Sequence, residues 1–177
     1  NVKLNQRIIA RPDVRELFVQ PASGDSGTAV GAASYVSVQR GVPVEKMEHV
    51  YLGPAYSNEE VIAACARHPS KPAWQQIDQV PQRIARLLAD GQPVAWFQGR
   101  MEWGPRALGN RSIVCDPRRA DMKDVLNLKI KRRESFRPFA PSILREAVPE
   151  WFEVDDDVPF MMQVYPIRPE KRAQIPA

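Results

Sequence analysis

Apolar and polar positions along this chain alternate in blocks that read as helices separated by short extended runs. LFVQ at 17–20 predicts a short buried strand, and the small residues after it lead into a helix from about Thr28 to Arg40. Ser57 followed by Glu60 forms a capping box ahead of Val61, Ile62 and Cys65, which predicts a helix over 58–67. A second helix over 79–90 sets Val80, Ile84, Leu87 and Leu88 on one stripe, with Asp78 as its cap and Gly91 as its end. PVAWF at 93–97 and SIVC at 112–115 predict two buried strands. Asp116-Pro117 reads as an N-cap with proline at the first helical position, opening a helix whose Met122, Val125, Leu126 and Ile130 face inward. Strands over 139–144 and 161–165, with a short helix to about Phe152 between them, complete the pattern. Alternating helices and strands of this kind argue for an α/β or α+β fold.

Composition narrows the class only modestly. The 177 residues, 44% hydrophobic and 26% charged, suffice for one compact domain or for one domain plus part of another. Prolines crowd the later part (Pro138, Pro141, Pro149, Pro159, Pro166, Pro169) and predict extended connections there. Cys65 and Cys115 stand alone without metal-ligand spacing, which argues against a disulfide framework or metal cluster, and a reducing cytoplasm fits. No window approaches the roughly 20 apolar residues of a membrane span. NVKLNQ at the start lacks the features of a signal peptide and an initiator Met, which leads to the expectation of a fragment.

Charge changes the picture more. Between Arg100 and Arg145 twelve Lys or Arg face five acids, a surplus of seven, whereas the whole chain carries only +4. One basic region on a mildly acidic body concentrates anions. Its first part, GRMEWGPRALGNRS, would place Arg100, Arg106 and Arg111 around one loop whose glycines let the backbone approach a ligand. Guanidinium forks match phosphate and carboxylate oxygens two at a time. Trp96, Phe97 and Trp103 could stack on a base, although for Trp96 and Phe97 the apolar strand favours core packing. In the second part, KIKRRESFRP, an extended chain would set Lys131, Arg133 and Arg137 against Arg132, Glu134 and Phe136. A solvated basic tail at a helix C-terminus is the plain alternative. Arg118 and Arg119, in the first turn of their helix, oppose its dipole, which either a bound anion or pairing with Asp121 explains. Near the N-terminus, Asp25-Ser26-Gly27 would occupy a strand-to-helix turn suited to anions, or simply supply the cap. From the residues alone, the chain binds a polyanionic small molecule or a nucleic acid.

QGRMEWGPRALGNRSIVCDPR followed by MKDVLNLKIKRRESFRPFAPSIL resembles the C-terminal region of NodU/CmcH-type O-carbamoyltransferases, and LFVQPASGDSGTAVGAA resembles the end of their N-terminal domain. The resemblance implies residues 1–45 as the terminal strand-helix piece of an actin-like ATPase-type domain. It implies 46–177 as most of a YrdC-like domain, a twisted mixed sheet with flanking helices. It implies ATP with Mg2+ and carbamoyl phosphate as substrates, a carbamoyl-adenylate intermediate, and transfer of the carbamoyl group to a hydroxyl-bearing acceptor. Lys131 and Arg133 resemble the Lys-x-Arg pair that holds phosphates, with Arg137 as the following basic residue, and Arg100, Arg106, Asn110 and Arg111 resemble the loop that completes the pocket. Asp25 resembles the aspartate that joins two histidines on Fe or another divalent metal. The histidine pair itself would lie before Asn1, so the 177 residues alone are expected to bind metal weakly and to lack overall transfer. A membrane has no place in this reading and a nucleic acid little, while a homodimer stays open. The alternative is a YrdC-like RNA- or nucleotide-binding module without transferase activity, and a steep salt dependence of binding would favour it.

Overall fold

The computed structural model describes residues 1–176. A helix that periodicity did not announce opens the chain: α1, Val2–Ile9, is capped by the Asn1 side chain, which accepts from the amides of Lys3 (3.2 Å) and Leu4 (3.3 Å). α2 spans Asp25–Gln39, so Asp25 is its first residue and Gly24 its cap, and neither Asp25 nor Ser26 caps it. α3, Asn58–Arg67, has the expected capping box, with Ser57 Oγ accepting from the Glu60 amide at 3.2 Å and Glu60 Oε2 accepting from the Ser57 amide at 2.7 Å. α4, Val80–Ala89, is capped by Gln79 in a left-handed conformation (φ 51°) rather than by Asp78, and it stops at Gly91 with φ 79°.

β1, Val94–Phe97, and β2, Arg111–Val114, pair antiparallel with Val94 opposite Val114 and Phe97 opposite Arg111. The pleat turns Trp96 partly inward and leaves Phe97 52% exposed, so Phe97 is not a core residue. The expected strands over 17–20, 139–144 and 161–165 do not form. Pro21, Pro138, Pro141 and Pro166 flank or interrupt these runs and withhold ladder donors. Among the described residues of the last third, one isolated bridge forms, Phe152 to Ile167. The class is α+β, and its sheet among the described residues is this one hairpin rather than a twisted mixed sheet.

Asp116-Pro117 opens a turn, and the helix begins later, as α5, Met122–Asp124, which widens into a π-helical turn over Val125–Ile130. The widening moves the inward stripe. Met122 and Leu126 are buried as expected, but Asn127 is fully buried beside them and Ile130 lies exposed. A 3-10 turn, Arg145–Ala147, leads into the short α6, Val148–Trp151.

Val50, Phe160 and Met162 form the main apolar cluster, with Val19, Met47, Tyr51 and Leu108 against it. Phe18 meets Phe160 edge to face at 6.4 Å, and Asn5 Nδ2 donates to the Met162 carbonyl at 2.7 Å. The early chain and residues 160–163 are thereby closed around the loop between β1 and β2. That loop and the segment after the π-turn carry the basic residues.

Candidate functional site

Residues 98–110, the loop between the two strands, are built on a buried acid. Glu102 is 8% exposed, and its Oε1 accepts from the amides of Leu108 (2.6 Å) and Asn110 (3.0 Å), while Oε2 is buried without a partner. Asn110, also buried, donates from Nδ2 to the Arg100 carbonyl at 2.8 Å. Gly104 (φ 106°) and Gly109 (φ 115°) take conformations closed to ordinary side chains, which lets the chain double back. From outside the loop, the Gly53 amide donates to the Met101 carbonyl at 2.9 Å; the Met101 amide donates to the Pro54 carbonyl at 2.9 Å and the Trp103 amide to the Val50 carbonyl at 2.7 Å. Tyr51 Oη donates to the Leu108 carbonyl at 3.2 Å.

On this frame the three expected arginines diverge. Arg100 is exposed and anchors Nε on the Gly53 carbonyl at 2.9 Å. Arg106 is half-buried with Nη1 3.4 Å from the Met162 sulfur, and Arg111 is exposed across the hairpin from Phe97. None of the three has an ion-pair partner among the described residues.

The second cluster follows the π-turn. Lys131 is helical in conformation and Arg132 left-handed (φ 47°), so the chain is not extended here and the proposed alternation of side chains does not hold. Lys131 and Arg133 nevertheless share a face for another reason: both cations lie over the Phe139 ring, at 6.0 and 4.9 Å from its centroid. Arg133 also donates from Nε to Asn127 Oδ1 at 2.7 Å. Asn127 Nδ2 donates in turn to the carbonyls of Ser135 (3.3 Å) and Arg137 (2.9 Å). Arg137 stands apart, its Nε 2.8 Å from Glu134.

Much of the remaining basic surplus is neutralised locally. Asp116 takes both the backbone and the guanidinium of Arg118, with Nη2 at 2.5 Å, and this hydrogen bonding holds its carboxyl below the usual carboxylate range. Arg119 pairs with Asp121 at 2.7 Å, so the anion reading of these two arginines gives way to pairing. Arg145 is bracketed by Asp155 and Asp157. Between Arg100 and Arg145, the basic residues left without an ion pair among the described residues are Arg100, Arg106 and Arg111, Lys123 and Lys129, and Lys131, Arg132 and Arg133, and no hydrogen bond or ion pair joins the 98–111 stretch to the Lys131–Arg133 corner.

Asp25 sits exposed at the start of α2, its carboxylate without a hydrogen bond or ion pair among the described residues. No group of three His, Cys, Asp or Glu converges there or elsewhere among those residues, so they do not by themselves fit a transition-metal centre. Cys65 and Cys115 are free, and burial pushes the Cys115 thiol up. No helix among the described residues is long and apolar enough to cross a membrane.

Glu102 and Asn127 are the site residues that sequence reasoning missed. Glu102 entered only as an acid to be subtracted, and Asn127 lay in a polar position of a presumed α-helix. The one available signal was a polar residue beside Leu126 in a helix ending on a Lys-Arg run.

Comparison with known proteins gives the family. Residues 85–177 match the family model for the carbamoyltransferase C-terminus, and residues 1–34 that for the carbamoyltransferase N-terminus. Nodulation protein NolNO of Sinorhizobium fredii is 42% identical over 97% of this chain and 26% of its own length. Nodulation protein NolO of Bradyrhizobium diazoefficiens is 42% identical over 97% of this chain and 32% of its own. An uncharacterized protein of Synechocystis sp. is 44% identical over 97% of this chain and 29% of its own. The chain thus spans about a third or less of the curated relatives it matches. With over half of its residues under the C-terminal model and its start under the N-terminal one, the chain belongs to the carbamoyltransferase family.

Proposed function

We propose that this chain is the nucleotide- and carbamoyl-phosphate-binding part of an ATP-dependent O-carbamoyltransferase. In this reading ATP with Mg2+, carbamoyl phosphate and water give carbamoyl-adenylate, pyrophosphate and inorganic phosphate, and the carbamoyl group then passes to an acceptor hydroxyl with release of AMP. The observation that carries the reading is the corner formed by Lys131, Arg133 and Phe139. Arg133 spends Nε on Asn127 and one face on Phe139, which leaves its two terminal nitrogens to meet phosphate oxygens in a bidentate fork beside the Lys131 charge. Displacement at phosphorus is promoted mainly by positioning and by cations that neutralise developing charge, and both are what this corner offers. Arg100 and Arg106 on the loop that Asn110 and Glu102 fix, Arg111 at the start of β2, and Arg137 supply further cations for the same polyanionic substrates. The division into 1–45 and 46–177 accompanies the same reading.

Asp25 contributes one carboxylate to a divalent metal, Fe or another, whose other ligands come from residues outside this sequence. Transfer to the hydroxyl belongs to that region, and the acceptor is a small molecule or sugar. The two free cysteines favour a reducing cytoplasm.

Calorimetric titration of the full-length protein tests the reading. Arg133→Ala should weaken ATP or carbamoyl phosphate by about 1.5–3 kcal/mol, the range for a charge-assisted hydrogen-bonded contact. Arg132→Ala should change little, because Arg132 is exposed and makes no contact to Asn127 or the Phe139 ring among the described residues. Equal losses would defeat the assignment. Tight RNA binding that collapses between low and moderate salt would favour the nucleic-acid alternative.

A further inference from the structure

Resting on the phosphate role of Arg133 given above, we infer that Asn127 is a positioning residue for that site: its amide fixes the guanidinium of Arg133 and the loop behind it in one geometry. Asn127 is completely buried, and both of its amide donors and one acceptor site are spent on the basic segment. Oδ1 accepts from Arg133 Nε at 2.7 Å, and Nδ2 donates to the Ser135 and Arg137 carbonyls at 3.3 and 2.9 Å. The Arg133 amide also donates to the Asn127 carbonyl at 2.9 Å, so the two residues are joined twice.

The π-turn is what makes this contact. An α-helical register would carry the stripe from Leu126 to Ile130, whereas the wider turn brings Asn127 inward next to Leu126 and exposes Ile130. Only a side chain with an acceptor and a donor on one planar group can hold a guanidinium and two carbonyls together. Asp would offer no donor at neutral pH, and Leu would leave both carbonyls and Nε unpaired. Phe139 supplies the second wall, stacked 4.9 Å from the Arg133 guanidinium carbon. With Nε and one face occupied, the free edge of Arg133 has a single direction. A phosphate therefore meets a fork already oriented, and less freedom is lost on binding.

The experiment is a double-mutant cycle in the full-length protein, titrating ATP and carbamoyl phosphate separately, with thermal unfolding recorded for each variant. Arg133→Ala should weaken binding about tenfold or more, and Asn127→Ala at least about threefold. The double variant should bind no worse than Arg133→Ala alone, because Asn127 acts through Arg133. A purely structural role for Asn127 would instead add its loss to that of Arg133→Ala and would overturn the inference. Should Asn127→Ala fail to fold, Arg133→Lys decides: it keeps the charge but has no Nε to be held, and should bind nearly as weakly as Arg133→Ala. Wild-type affinity in Arg133→Lys overturns the inference. An Arg133→Ala variant that binds like wild type overturns the phosphate assignment itself, which distinguishes the two failures.

Discussion

Replacing Glu102 with alanine should loosen the whole arginine-bearing loop, and the size of the effect follows from its contacts. One carboxylate oxygen accepts from the amides of Leu108 and Asn110, at 2.6 and 3.0 Å, in a residue that is 8% exposed. Hydrogen bonds to a charged group contribute roughly 1.5–3 kcal/mol each, and a buried amide left without a partner costs about 1–3 kcal/mol. The second oxygen opposes this, since it has given up water without gaining a donor. Together these leave an expected loss of about 2–4 kcal/mol for Glu102→Ala. Glu102→Gln keeps an oxygen acceptor at the same reach and should lose about half as much. Denaturant unfolding of the full-length protein measures the totals, and amide hydrogen exchange at Leu108 and Asn110 shows whether the loss is local. A Glu102→Ala variant within about 0.5 kcal/mol of wild type, with both amides still protected, would refute the claim that this acid organises the loop.

Other substitutions address separate features. Asp116 has its carboxyl lowered by Arg118, so its contribution to stability is complete above the ordinary carboxylate range and is lost as pH falls through the lowered value. Asp116→Asn should accordingly be less stable than wild type at neutral pH, with the gap closing in acid, as read from thermal unfolding across pH. Gly109→Ala puts a Cβ on a residue at φ 115° and should cost about 1–3 kcal/mol by denaturant unfolding. Ser57→Ala removes one arm of the α3 capping box and should cost about 1 kcal/mol, visible as faster amide exchange in the first turn of that helix.

How much of this the sequence disclosed depended on whether the deciding interaction was local. The capping box at Ser57 and Glu60, the end of α4 at Gly91 and the two strands around the glycine loop were legible because neighbours within a few positions determine them. α2 was found, but its cap slipped to Gly24 because Asp25 and Ser26 both looked suited to the role. The apolar runs at 17–20, 139–144 and 161–165 were read as strands on hydrophobicity alone. A strand needs a partner, and what these segments met was side chains, as Leu17 does when its carbonyl accepts from Gln163 Nε2 at 3.3 Å. The site shows the same division. Lys131 and Arg133 do lie over one ring, yet the alternation expected to bring them together was undone by the left-handed Arg132. Their shared face comes from Phe139 and from Asn127, six residues upstream of Arg133 on a turn of unusual pitch. Glu102 could not be foreseen from charge counting, which treats a buried organising acid and a solvated one alike.

The central claim is that the Lys131–Arg133 corner binds phosphate for adenylate chemistry. Carbamoyl-phosphate-dependent exchange of pyrophosphate into ATP, measured on the full-length protein and on Arg133→Ala, tests it most directly. Exchange in the wild type should require carbamoyl phosphate and fall by about ten- to a hundredfold in the variant, the rate equivalent of about 1.4–2.7 kcal/mol. Exchange that proceeds unchanged in Arg133→Ala, or a wild-type protein that transfers carbamoyl groups with no exchange at all, would contradict it.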